Sequence, residues 1–140
     1  MTSELRVDNL KGSTTGGSIN VLGEGTSNTT NLQQGLAKVW NNFNGTGTVA
    51  IEDSFNVASL TDHGTGVYST TFTNAMNTER MAASGFARVS GLYGLFSAET
   101  DSTFTTTSFR HATLKYDNGS TGNEAADALI VTKIIHRDLA

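Results

Sequence analysis

The chain has no cysteine, so its chemistry must rest on histidine, carboxylate and hydroxyl groups. Disulfides, thiolate nucleophiles and cysteine metal sites are excluded. The three histidines, His63, His111 and His136, are far apart in sequence. None has the i,i+4 partner that sets two imidazoles on one helix face to hold a metal. His63 falls at a predicted turn tip and His136 near the end of the sequence, so all three are expected on the surface or within strands. Glu52 and Asp53 are adjacent, and strand pleating sends them to opposite faces. Glu99 and Asp101 can share a face, which suits acid–base work or calcium binding. No third ligand and no calcium-loop glycine surrounds them, so they read as a solvated loop. There is no G-x-S-x-G elbow and no P-loop, and the glycine-rich stretches lack the strand–turn–helix setting of a phosphate cradle. The expectation is a protein that is not an enzyme, with no cofactor and no metal.

Composition bounds the elements that position these residues. The length, 140 residues, corresponds to one domain. The formal net charge is −4, from 13 acidic and 9 basic residues, which argues against nucleic acid as a partner. No run of 18 apolar residues occurs, so no membrane insertion is expected. The opening MTSELRVDNLKG lacks the apolar core of a secretory signal. The sequons at Asn28, Asn44 and Asn118 read as products of composition. With 15 glycines, no proline and only 16% charged residues, the chain is rich in threonine, serine and asparagine. Threonine favours strands, while Gly, Asn and Ser favour turns.

Along the chain, residues 4–10 alternate apolar and polar, with Leu5 and Val7 against Glu4, Arg6 and Asp8. Residues 12–31 hold only a short apolar island, Ile19 to Leu22, too little for a core. Residues 1–34 are expected to form an extended docking arm and linker, and 35–140 a folded domain. Residues 36–43 read as a strand in preference to a helix over 31–42. The stretch 49–57 reads as one strand, with Val49, Ile51, Phe55 and Val57 on one face. Residues 61–66 are turn chemistry between two strands, which predicts a hairpin. Further strands are expected at 85–96, 102–109, 111–116 and 128–135, with a long loop at 117–127. The last strand, ALIVTKII, is apolar on both faces and reads as a buried central strand. Trp40, Phe43, Phe55, Phe72 and Phe86 are expected in the core, the first four also serving oligomer contacts. Tyr68, Tyr93 and Tyr116 are expected to be exposed. The fold expected is all-β: a small antiparallel, jelly-roll-like β-sandwich with an extended N-terminal arm.

One stretch carries more than composition. Residues 37–76 contain Ala37, Lys38 and Trp40, then Asn42 to Gly47, then Asp53, Ser54, Asn56 and Val57. Gly64, Gly66, Tyr68 and Asn74 to Met76 follow. This pattern resembles a module of short tail-fibre-like virion proteins from marine phages and prophages. The opening 3–12 and the ending 137–140 are similar to the termini of those proteins, whereas 77–128 has no counterpart. The resemblance implies a homotrimeric virion structural protein with no catalytic residues, in the phage particle and made in the bacterial host cytoplasm. Its arm, anchored by Leu5, Val7 and Leu10, would dock on tail, baseplate or capsid proteins. Capsid decoration and host-glycan receptor binding are the alternatives. For the latter, Asp62, His63, Thr65, Asp117, Asn118 and Asn123 are the candidate contacts. A polysaccharide hydrolase using Glu99 and Asp101 is the enzymatic rival.

Overall fold

A computed structural model describes residues 4–15, 19–22, 28–98, 104–116, 122–137 and 139. The chain divides into two compact units, Met1–Leu36 and Ala37–Ala140. In the first, β1 (Asn20–Leu22) pairs antiparallel with β2 (Thr29–Asn31), and one helical turn, α1 (Leu32–Gly35), follows. The Asn31 side-chain oxygen accepts from the backbone N–H groups of Gln33 and Gln34, at 2.9 and 3.2 Å, which starts the turn. The stretch expected as extended docking arm and linker thus contains the β1–β2 pairing, and the helix in 31–42 is the four residues of α1.

Among the described residues, the second unit holds nine strands. They are β3 (Val39–Asn44), β4 (Ala50–Phe55), β5 (Val57–Asp62), β6 (Val67–Phe72), β7 (Ala82–Arg88), β8 (Tyr93–Ala98), β9 (Ser108–Tyr116), β10 (Asn123–Ala125) and β11 (Ile130–His136). One sheet runs β4-β3-β11-β7. In the other, β5 pairs β6 and β6 pairs β9; β8 lines the opposite edge of β9, and β10 continues the β6 edge. Every pairing is antiparallel. The two sheets pack face to face as an all-β sandwich, as the alternation and turn chemistry predict.

The stretch 49–57 is not one strand. It breaks at Asn56, whose φ of 57° lies in the left-handed region. Asparagine tolerates that region because its short polar side chain satisfies the local backbone. Asn56 Oδ1 accepts from Asn74 N at 2.7 Å, and its Nδ2 donates to Lys38 O at 3.0 Å. This corner sends β4 and β5 into different sheets. The hairpin of β5 and β6 forms as expected, with Gly64 and Gly66 at positive φ in its turn.

Two apolar clusters fill the sandwich. One holds Val39, Phe72, Met76, Phe109 and Ile135; the other holds Phe43, Tyr68, Ala87, Ala128 and Val131. Phe43 and Phe72 are core, as expected. Trp40 is only half-buried, while Phe55 and Phe86 are exposed. Alternation explains this: Val39, Asn41 and Phe43 face inward, so Trp40 must face out. Tyr68, expected at the surface, is fully buried; Tyr93 and Tyr116 are exposed. β11 is central in its sheet, between β3 and β7, yet only one of its faces is buried. Ile134 on the other face is exposed.

Candidate functional site

The middle inward position of four strands is polar. Asn41 on β3, Lys133 on β11, Thr70 on β6 and His111 on β9 are all essentially inaccessible. They form a polar layer between the two apolar clusters. Asn41 and Lys133 are direct cross-strand partners. Lys133 Nζ donates a short hydrogen bond to Thr70 Oγ1 and lies 3.2 Å from His111 Nδ1. Asn41 Nδ2 donates to the same Thr70 oxygen at 3.4 Å. The rings of Phe43 and Phe109 close the site, with centroids 5.8 and 5.6 Å from the amine. Among the described residues, Asn41 Oδ1 and His111 Nε2 have no hydrogen-bond partner.

This environment sets the protonation states. An ammonium buried without a carboxylate carries a desolvation cost of several kcal/mol, so the group sheds its proton instead. Burial accordingly holds the Lys133 pKa well below its ordinary 10.5. The imidazole of His111 is held well below 6.5, by burial first and by Lys133 second. Burial therefore favours a neutral amine facing a neutral imidazole. Each has a lone pair, and either one can donate to the other.

The turn residues expected as receptor contacts are partly engaged in structure. Asp62 Oδ1 accepts from Gly64 N at 2.8 Å, and His63 Nε2 is 2.8 Å from Ser69 Oγ. Thr65 and Asn123 are exposed. Asp127 ties this turn to the segment after β10: its Oδ1 accepts from Gly66 N at 2.7 Å and lies 3.0 Å from the Tyr68 hydroxyl. The structure thus brings 61–66 and 122–127 to one end of the sandwich. Asp117, Asn118, Glu99 and Asp101 lie outside the described residues. Leu5, Val7 and Leu10 are exposed within the first unit. Among the described residues, no three His, Asp or Glu side chains converge on a metal-sized site. An open cleft of about 530 Å³ lies beside Met81, Phe96, Phe104 and Phe109, with Glu79 and Arg80 also lining it.

The exterior of the four-stranded sheet carries several large apolar side chains among polar ones. Trp40 sits between Phe55 on β4 and Ile134 on β11, each its direct cross-strand partner. Phe86 on β7 stands opposite Thr132 in the neighbouring row. Phe55 is 52%, Phe86 58% and Ile134 44% exposed. Reading all five large aromatics as core missed this face. Alternation divides a strand into two faces without saying which one is covered. The polar layer was missed for a related reason: Lys133 shares its face with Val131 and Ile135, a period-two signal that places an amine inside.

No family model, no curated protein and no solved structure matches the chain.

Proposed function

We propose that this chain is a non-enzymatic virion structural protein of a phage, a short tail fibre or tail accessory protein. It docks by its N-terminal segment and displays a homotrimeric β domain outward. The observation that carries this reading is the exposed apolar row on the exterior of the four-stranded sheet, Phe55, Trp40 and Ile134 side by side with Phe86 nearby. Monomeric soluble proteins rarely leave several large apolar side chains together on one flat face. Covering Phe55, Trp40, Ile134 and Phe86 with the same face or an edge of other copies removes that surface from water, at about 25 cal/mol per Å². Leu5, Val7 and Leu10 support the docking role, since they project from a unit that offers them no core. An extended segment of this kind adds to a neighbour's sheet edge through main-chain hydrogen bonds. The similarity of residues 37–76 to tail-fibre-like proteins supports the virion address.

The test is incorporation into particles. A chain lacking residues 1–12 should remain soluble and assembled but be absent from purified virions. Normal incorporation of the shortened chain would contradict docking by this segment.

A further inference from the structure

We propose that Lys133 and Asn41 form an intramolecular amide bond that ties the last strand of the sandwich to its first. Three observations meet at this site. The two residues are register partners on adjacent strands, so their side chains leave the same face of the sheet side by side. Both side chains end on one atom, Thr70 Oγ1. The site excludes water, and the aromatic rings of Phe43 and Phe109 enclose it. A buried lysine beside a buried carboxamide, with no carboxylate against it among the described residues, is costly as an ammonium and well placed as a nucleophile. Holding nucleophile and acceptor together replaces a bimolecular encounter and supplies much of the barrier reduction.

The balance is simple. The lone pair on the neutral Lys133 Nζ attacks Asn41 Cγ, forming a C–N bond and a tetrahedral centre. Nζ then gives one proton to Thr70 Oγ1, which it already touches. Thr70 passes its own hydroxyl proton to Asn41 Nδ2, the Cγ–Nδ2 bond breaks, the carbonyl re-forms, and ammonia leaves. No oxidant or reductant is needed. In this scheme Thr70 is the proton carrier, His111 Nδ1 holds Nζ in place from its other side, and the reaction runs once per chain.

The linkage would lock β3 to β11, so unfolding of the sandwich could not separate its ends. It is independent of the virion reading, because it needs only the folded second unit.

The test is the intact mass of the full chain after folding, followed by tryptic mapping. The expected mass is lower than the sequence mass by one ammonia, about 17 Da. Trypsin should release a branched species joining 39–80 to 116–137, because an acylated Lys133 resists cleavage. An Asn41→Ala chain should regain its full sequence mass, and a Lys133→Arg chain should too. The full sequence mass in the unaltered chain would overturn the proposal without recourse to any variant. A 17 Da loss that persists in Lys133→Arg, with no branched peptide, would also overturn it, since a cyclic imide at an asparagine loses ammonia in the same amount.

Discussion

Lys133 stands directly across the β11–β3 ladder from Asn41, and both side chains reach the hydroxyl of Thr70 in the dry centre of the sandwich. The pair sits between two apolar clusters, so whichever form its nitrogen takes has consequences for stability.

Those consequences are visible as pH dependence. In an Asn41→Ala chain, Lys133 is a free amine with its pKa held well below 10.5 by burial. The unfolded chain binds a proton there up to about pH 10.4, and the folded chain releases it at lower pH. The unfolded state thus holds more protons, and stability rises with pH, by up to about 1.4 kcal/mol per pH unit. The groups on its inner side are His111 and Thr70, and among the described residues no carboxylate pairs with it to reverse the sign. His111, lowered below 6.5, adds a similar rise at lower pH. Tyr68 acts oppositely: burial, then Asp127, holds its phenol above 10, so stability falls once the unfolded phenol ionises above that pH. Urea midpoints of Asn41→Ala should climb as pH rises toward 10 and then turn down. In the unaltered chain the amide nitrogen does not titrate, and the climb due to Lys133 should be missing. Parallel slopes in the two chains would contradict the linkage.

Phe43 and Phe55 should behave in opposite ways. Phe43 is fully buried and packs edge-on to Tyr68 at a centroid distance of 5.1 Å. Its truncation to alanine should cost about 3–5 kcal/mol and be read as a lowered unfolding midpoint. Phe55→Ala should leave the circular dichroism spectrum intact and weaken assembly by about 2 kcal/mol, roughly 30-fold on dilution. Equal loss of folding in both variants would show that Phe55 supports the fold and not the assembly.

Gly94 separates packing from backbone strain. A Cβ there would lie 2.2 Å from the carbonyl oxygen of Ala87, and backbone cannot move aside as a side chain does. Gly94→Ala should force β7 and β8 apart at a cost of about 1–3 kcal/mol. Gly47 has φ of +63° with open space around it, so Gly47→Ala should cost only the conformational strain, about 1 kcal/mol. Thermal midpoints of the two variants should fall in that order.

The sandwich was legible where period two and turn chemistry agree, as in β3 and the β5–β6 hairpin. It was less legible where a single residue redirects the chain. Asn56 takes a left-handed φ inside an alternating stretch, and alternation alone carries no sign of that corner. Trp40, Phe55 and Phe86 read as core because hydrophobicity does not distinguish a face packed within one chain from a face left for another. Lys133 was legible in principle, since Val131 and Ile135 flank it at spacing two. Thr70 and His111 were not, because no local pattern reports that two other strands bring them to the same depth. Asn31 capping α1 shows the same limit at small scale: one side chain turned a stretch read as linker into a short ordered element.

The central claim of the functional reading is that copies of this chain cover the Trp40–Phe55–Ile134–Phe86 face. Sedimentation equilibrium of the full chain across a dilution series tests it most directly. The expected species has three times the 14.8 kDa chain mass, and Phe55→Ser with Ile134→Thr should shift it to the single-chain mass with the fold retained. A strictly monomeric, folded, unaltered chain at every concentration would contradict the account.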